Sequence, residues 1–147
     1  MPLNASIRDK ECLLKNVGVM EFNKQHLRLA SYAAEFQELV DKLSAQEPTL
    51  QDWKHIDALF ARISRFVTEH FRLEEEMMLQ HGYPGYESQK KQHDDFVKKL
   101  IDVQGDVRGR NIHFTSSFCS ELWTWLFHHI NVIDFAYRDF FISKGLN

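Results

Sequence analysis

The sequence has 147 residues, of which 44% are hydrophobic, and a formal net charge of −3 at neutral pH. This length suits one domain with its own core, and the composition is typical of a globular chain rather than a disordered one. No block of lysine and arginine and no apolar run of about 18 residues is present, which argues against a nucleic-acid partner and against insertion into a membrane.

The two cysteines, Cys12 and Cys119, form no C-x-x-C motif, although one disulfide between them remains open. Scattered cysteines fit a reducing compartment, and the first ten residues lack the apolar core of a signal peptide. We therefore expect a cytoplasmic protein.

Four amphipathic segments follow an irregular arm over residues 1–17. Apolar residues recur three and four positions apart in each segment, which places them on one helical face. The predicted helices cover residues of about 18–46, 51–81, 85–106 and 112–143. Four such helices joined by short links favour an all-α, antiparallel up-down-up-down four-helix bundle, with residues 1–147 forming a single domain.

Each apolar stripe contains polar residues where apolar ones are expected. A buried imidazole or carboxylate is unfavourable unless it is paired or binds a metal. In an antiparallel bundle these positions lie at similar depths, to within about one helical turn. The polar residues on the four apolar stripes are His26, His70, Glu74, Gln89, His93, His129 and Asp134. A shared layer of this kind predicts a metal site rather than isolated core histidines.

The types of donor group limit which metals the site would bind. Imidazoles and carboxylates without thiolates suit iron, zinc, manganese or copper. Six candidate ligands are too many for one tetrahedral zinc ion, and two of them are carboxylates that are able to bridge two metal ions. The simplest interpretation is therefore a site for two metals. No histidine has a glutamate three residues before it, which disfavours the ferritin-like class with its Glu-x-x-His motifs.

Segments on all four predicted helices resemble the bacterial hemerythrins, whose four-helix bundle binds a non-heme di-iron pair. The segments are residues 23–26 (Asn-Lys-Gln-His), 70–75 (His-Phe-Arg-Leu-Glu-Glu), 82–84 (Gly-Tyr-Pro) followed by His93, and 125–130 (Trp-Leu-Phe-His-His-Ile) with Asp134. The resemblance covers about residues 18–142.

This resemblance implies a cofactor of two iron ions, bridged by Glu74 and Asp134 and by an oxo or hydroxo group. The implied terminal ligands are His26 with His70 at one iron, and His93 with His129 at the other. It also implies that Phe71, Leu126 and Ile130 wall a pocket for O2, although ordinary core packing would explain these three residues as well.

One position departs from the family pattern, which places two histidines four residues apart on the third helix. Gln89 occupies the first of these positions, and only His93 remains. An amide oxygen is a poorer iron ligand than imidazole. Gln89 therefore binds weakly, supports a water in this place, or merely hydrogen-bonds a core group. In every case the His93 and His129 side of the site becomes more open.

The fourth helix presents a geometric problem. His129 and Asp134 are five residues apart, which corresponds to ~140° of rotation on an ideal α-helix. Both reach one metal site only if the helix carries a π-type bulge or if Asp134 approaches from the side. The apolar stripe is expected to continue past His129 through Val132 and Ala136.

Several further polar and aromatic residues are assigned ordinary roles. We expect surface or capping roles for the remaining histidines, a solvated position for Glu75 and Glu76, and simple packing for Trp123. The remaining histidines are His55, His81, His113 and His128.

The family's O2 carriers leave one iron position free, and the more open side at Gln89 would admit water and reductants as well. We therefore expect a sensor of O2 or redox state, not an enzyme, that oxidises readily from the diferrous to the diferric form. Bacterial hemerythrin domains commonly form the input domain of signalling proteins, so an output activity such as diguanylate cyclase would lie outside residues 1–147. Reversible O2 binding, storage or delivery, a di-iron oxidase or peroxidase-like enzyme, and a bundle without metal remain alternatives. The chain is either complete or one domain of a longer protein.

Overall fold

A computed structural model describes residues 13–146, without the side chains of residues 112–114. Four long helices form the bundle, and seven of the eight predicted bounds lie within two residues of the observed ones. The exception is the end of the fourth helix, expected at about residue 143, because the regular α-helix ends at His128. The helices are α1 (Met20–Ser44), α2 (Leu50–His81), α3 (Tyr86–Arg108) and α4 (Ile112–His128). The chain then continues through a π-helical segment (His129–Asp134), a 3-10 turn (Phe135–Tyr137) and α5 (Arg138–Ser143).

Consecutive helices pack against each other, and α1 also packs against α4, so the four helices form a closed ring. The links between them are short, which requires neighbouring helices to run antiparallel. The expected all-α four-helix bundle is confirmed, and no strand is present in residues 13–146.

Local sequence signals set the ends of α2. The Thr49 hydroxyl accepts a hydrogen bond from the Asp52 amide at 3.2 Å, and the Asp52 carboxylate accepts one from the Thr49 amide at 2.9 Å. This reciprocal capping box satisfies two amides that the first helical turn leaves without partners. The helix ends at Gly82, whose φ of 69° is the left-handed conformation that favours glycine.

The described part of the arm packs against the end of the bundle. Residues 13–19 contain no helix, whereas residues 1–12 of the expected arm lie outside the described residues. Val17 is fully buried, and Gly18 has a φ of 88°. A Cβ at Gly18 would lie 3.1 Å from the backbone oxygen of Arg138, so the arm approaches α5 closely.

Among the helices within residues 13–146, none is both long enough and apolar enough to cross a membrane.

Cys119 is buried as a free thiol, and burial raises its pKa to about 12. Cys12 lies outside the described residues.

Candidate metal centre

The structure brings four predicted histidines together in one buried layer. Each side chain comes from a different part of the ring of helices, and none is more than 3% exposed. They are His26 on α1, His70 on α2, His93 on α3 and His129 at the start of the π-helical segment. The four histidines therefore lie at a shared depth in the bundle, as their spacing along the helices predicts.

Glu74 lies between the histidines of α2 and α3. It is fully buried, and its Oε1 atom is 2.9 Å from Nε2 of His70 and 3.5 Å from Nε2 of His93. The Tyr137 hydroxyl donates a hydrogen bond to the other oxygen, Oε2, at 2.7 Å. One carboxylate thus contacts imidazoles from two helices and a phenol from a third part of the chain.

Asp134 occupies the equivalent place between α1 and the π-helical segment. It is fully buried, with Oδ2 3.2 Å from Nε2 of His26 and Oδ1 3.0 Å from Nε2 of His129. Burial alone would raise the pKa of Asp134, but His129 and His26 outweigh it and hold this pKa well below its usual value. Asp134 is therefore an ionised carboxylate inside the core.

Glu74 and Asp134 belong to two overlapping groups, each with ligand atoms within 4.8 Å of one another. One group adds His26 and His70, and the other adds His93 and His129. Two carboxylates shared between two pairs of imidazoles form the donor arrangement of a site for two metal ions.

The π-helical segment allows His129 and Asp134 to face the same site. At its end, the amide of the next residue, Phe135, donates a hydrogen bond to the carbonyl of Ile130, five residues back. The wider turn removes the ~140° mismatch that five residues would create in an α-helix. The expected π-type bulge is therefore present.

The same segment shifts the phase of the helix that follows, and the expectation that Val132 and Ala136 continue the apolar stripe is wrong. Val132 is 53% exposed, and Ala136 is exposed as well. Ile130, Tyr137 and Phe141 are buried instead. A constant period of 3.6 residues does not hold through a π-helical turn.

Three of the four histidines are oriented by a second side chain that the sequence reasoning did not identify. In each case the ring nitrogen Nδ1 contacts an oxygen acceptor on the neighbouring helix. The pairs are His70 with Gln25, His93 with Glu75 at 2.8 Å, and His129 with Gln92 at 3.2 Å. Since Nδ1 carries the proton, Nε2 presents its lone pair to the centre, as metal-binding histidines require.

Burial also favours the neutral form of His93. Burial lowers the pKa of His93, although the carboxylate of Glu74 opposes this effect. A neutral imidazole is the form that binds metals.

The expectation that Glu75 is solvated is wrong. Its side chain is only 16% exposed and lies between His93 and Lys90, whose Nζ atom is 3.2 Å from Oε1. Glu76 does face solvent, where it pairs with Arg72. A signal was present in the sequence, because Gln25, Glu75 and Gln92 each directly adjoin a ligand position. Side chains flanking a ligand lie at the interface with the next helix.

Tyr137 is a further site residue that the sequence reasoning missed. It is fully buried three residues after Asp134. Burial, and then the charges of Asp134 and Glu74, raise the pKa of Tyr137 well above its usual value. The phenol therefore stays protonated and donates its hydrogen bond to Glu74.

Gln89 points into the site but makes hydrogen bonds with protein groups. It is 1% exposed, and its Nε2 atom donates to Oδ1 of Asp134 and to the carbonyl of Ile133, both at 3.1 Å. Its Oε1 atom is buried without a hydrogen-bond partner among the residues that the structure describes. The amide thus holds a carboxylate of the cluster and the backbone of the π-helical segment at once.

Aromatic rings surround the His93 and His129 side of the layer. Phe71 stacks on His93 with ring centroids 3.8 Å apart, and Trp125 stacks on His129 at 4.4 Å. Leu126 and Ile130, the other predicted pocket residues, are buried at 0% and 1% exposure. A cleft of about 470 Å³ between α2 and α3 reaches Phe71 and His93 from the surface.

The remaining histidines lie away from this layer where they are described. His55 and His128 are exposed, and His81 is half-buried as the last residue of α2. The side chain of His113 lies outside the described part of the chain. Trp123 is buried and stacks on Phe127, as expected for a packing residue.

The buried polar atoms fit bound cations. Nε2 of His26, Oε1 of Glu74 and Oδ2 of Asp134 are inaccessible to solvent and have no hydrogen-bond partner within residues 13–146. Nitrogen and oxygen lone pairs directed at a shared point repel one another unless a proton or cation lies between them. The absence of sulfur among the clustered groups agrees with iron and similar metals.

Fold and site together define a four-helix bundle with a buried histidine–carboxylate cluster suited to metal ions. Residues 17–139 match the family described as "Hemerythrin HHE cation binding domain". The chain therefore belongs to the hemerythrin family, and the resemblance seen in the sequence is confirmed.

Individual relatives show the same similarity. Hemerythrin from Themiste dyscrita is 37% identical over 76 residues, which cover 52% of this chain and 57% of that protein. Bacteriohemerythrin from Stenotrophomonas maltophilia (strain R551-3) is 26% identical over 125 residues, covering 84% of this chain and 75% of that protein. Myohemerythrin from Theromyzon tessulatum is 35% identical over 77 residues, covering 52% of this chain and 58% of that protein. The chain spans less than two thirds of the Themiste and Theromyzon proteins.

The contact between Tyr137 and Glu74 leads to a stability prediction for the metal-free protein. Tyr137→Phe keeps the ring but removes the donor to a buried carboxylate, so we expect the free energy of unfolding in urea to fall by about 2 kcal/mol. The control is Tyr32→Phe, which removes a hydroxyl from a ring that packs on Phe66 away from the cluster. Equal losses in the two variants would contradict the role assigned to this hydrogen bond.

Proposed function

We propose that this chain is a non-heme di-iron domain that senses O2 or redox state and serves as the input domain of a signalling protein. The support is membership of the hemerythrin family together with a buried cluster of imidazole and carboxylate groups. Bound iron would supply the electrons and the open coordination position that O2 binding needs.

In this proposal the two groups of ligand atoms correspond to two iron positions. Glu74 and Asp134 would bridge them because each carboxylate belongs to both groups. The terminal ligands would be His26 with His70, and His93 with His129. The hydrogen bonds at Nδ1 of His70, His93 and His129 would hold those rings in orientation.

The observation that favours a sensor over a carrier is the environment of Gln89. Both hydrogen bonds of its amide nitrogen go to the protein, to Asp134 and to Ile133. The His93 and His129 position is thus left with one imidazole fewer than in the family pattern. The buried Oε1 atom of Gln89 would accept a hydrogen bond from water there. Access for water favours oxidation to the diferric form over release of intact O2.

The surroundings of this open side fit a small apolar ligand. Phe71, Leu126 and Ile130 are buried, and we assign them the walls of an O2 pocket. The cleft between α2 and α3 would be the route of entry, since it reaches Phe71 and His93. O2 and other small redox-active molecules are the ligands that such a pocket admits.

A change of oxidation state would act on the fold through the two carboxylates. Glu74 contacts histidines of α2 and α3, and Asp134 contacts those of α1 and the π-helical segment. If oxidation changed the charge of the iron ions that the two carboxylates would neutralise, the spacing of all four helices would change as well. Such a two-state element is what a signalling output requires.

The first test concerns the ligands. We expect two irons per chain in protein reconstituted with ferrous iron under argon, and at most one in His129→Ala, measured by elemental analysis after desalting. His128→Ala is the matched control, because His128 is the exposed neighbour of His129 and should keep the wild-type content. Wild-type protein without iron would contradict the proposed function, and full iron content in His129→Ala would contradict the ligand assignment.

The second test separates a sensor from a carrier. When the reduced protein is mixed with O2 in a stopped-flow instrument, we expect direct conversion to the diferric form, followed by its near-ultraviolet charge-transfer absorption. A long-lived oxygenated form that releases O2 intact under argon would instead establish a carrier.

The third test concerns Gln89. Gln89→His restores a second imidazole on α3, so we expect oxidation by O2 to slow by roughly tenfold, equivalent to about 1.4 kcal/mol in the barrier. Gln104→His, which places a histidine on α3 away from the cluster, should oxidise at the wild-type rate. An unchanged rate in Gln89→His, with iron content preserved, would show that the residue at this position does not control the open side.

A further inference from the structure

The arm that precedes α1 is tied to the π-helical segment by the side chain of Asn131. Its Oδ1 atom accepts a hydrogen bond from the Lys15 amide at 2.8 Å, and its Nδ2 atom donates to the Leu13 carbonyl at 2.9 Å. Asn131 lies between His129 and Asp134, in the middle of the segment that brings these two residues to one site. The arm therefore contacts the least regular part of the metal-ligand layer directly.

A second asparagine ties the arm to α1. The Oδ1 atom of Asn23 accepts a hydrogen bond from the Val17 amide at 2.9 Å, and its Nδ2 atom donates to Oδ1 of Asn16 at 3.0 Å. Asn23 lies three residues before His26, about one helical turn. Residues 13–18 thus connect α1, close to one ligand position, with the segment that carries two others.

His26 lies beneath this connection. It lines a cavity of about 190 Å³ together with Leu14, Lys15 and Asn16 of the arm. The Nδ1 atom of His26 has no hydrogen-bond partner in the part of the chain that the structure describes, unlike Nδ1 of the other three clustered histidines. The arm therefore covers the one clustered histidine that no neighbouring helix orients.

The arm also occupies the place where the ring of cross-helix hydrogen bonds is incomplete. Such bonds between a histidine and a flanking side chain join α1 to α2, α2 to α3, and α3 to the π-helical segment that continues α4. The corresponding connection from this segment back to α1 is made through the arm by Asn131 and Asn23.

We propose that residues 13–18 are a positioning element of the metal centre, which holds the π-helical segment against α1 so that Asp134 and His26 stay in register. If the segment rewound as an α-helix, Asp134 would turn by ~140° relative to His129. Because both anchors lie beside ligand positions, metal binding and docking of the arm stabilise each other. This inference rests on the proposed function in requiring that the cluster binds metal.

The experiment measures hydrogen exchange at the Lys15 and Val17 amides, which donate to the two anchors. Exchange is recorded by NMR in metal-free protein and in protein loaded with zinc, a diamagnetic probe. We expect metal to slow exchange at both amides by at least about fivefold, the lower end of ordinary coupling between sites. Unchanged exchange in protein that has bound zinc would overturn the inference and leave the metal site intact.

Variants test the coupling in the other direction. Asn131→Ala should lose the protection of the Lys15 amide and release iron to a ferrous chelator at least about fivefold faster than wild type. Asn131→Asp keeps the acceptor but loses the donor, so its rate should fall between the two. Gln37→Ala is the control, because it breaks a side-chain hydrogen bond to Asp41 further along α1 without touching the arm.

Circular dichroism establishes whether each variant is folded. If Asn131→Ala does not fold, Asn23→Ala decides, since it removes the other anchor and should give the same faster release. Release at the wild-type rate from the folded anchor variants would overturn the inference. A wild-type chain that binds neither zinc nor iron would overturn both this inference and the proposed function.

Discussion

Two fully buried carboxylates, Glu74 and Asp134, determine how the interior of this bundle is arranged. The free energy of removing an ionised carboxylate from water amounts to several kcal/mol even after the protein relaxes, so each group requires compensating partners. The Tyr137 phenol donates a hydrogen bond to Glu74, and the Gln89 amide donates one to Asp134. Imidazoles from around the ring lie close enough to both carboxylates to share a cation with them. The layer that would bind metal is therefore also the layer where all four helices are joined.

The hydrogen bonds around this layer follow a simple rule. A residue adjacent to a ligand position on one helix orients the histidine of the next helix, as Gln25 does for His70 and Gln92 does for His129. Helices α1, α2 and α3 thus each carry a group for the centre and one side chain that orients the histidine of the next element. This arrangement sets the rotation of adjacent helices relative to each other, which apolar packing alone leaves less defined.

Gln89 occupies a position where the family pattern has a histidine, and its amide makes different contacts from those an imidazole would make. A histidine at this position would offer a ring nitrogen to metal, whereas the amide donates its protons to Asp134 and to the Ile133 carbonyl. The carboxylate and the π-helical backbone gain a support, and under the proposed function the metal would lose a ligand. The proposed shift from carrying O2 to sensing it depends on this exchange.

The sequence by itself determined the four helices, the shared depth of the polar positions and the conflict between His129 and Asp134, because helical period and spacing are local properties. It left open whether a π-helical turn or an oblique approach of Asp134 resolves that conflict. The assumption of a constant helical period also led to the wrong prediction that Val132 and Ala136 are buried. Glu75 and Tyr137 were misjudged or missed because their partners lie on other helices. Only the tertiary structure decided these contacts, since they depend on the rotation and phase of one helix relative to the next.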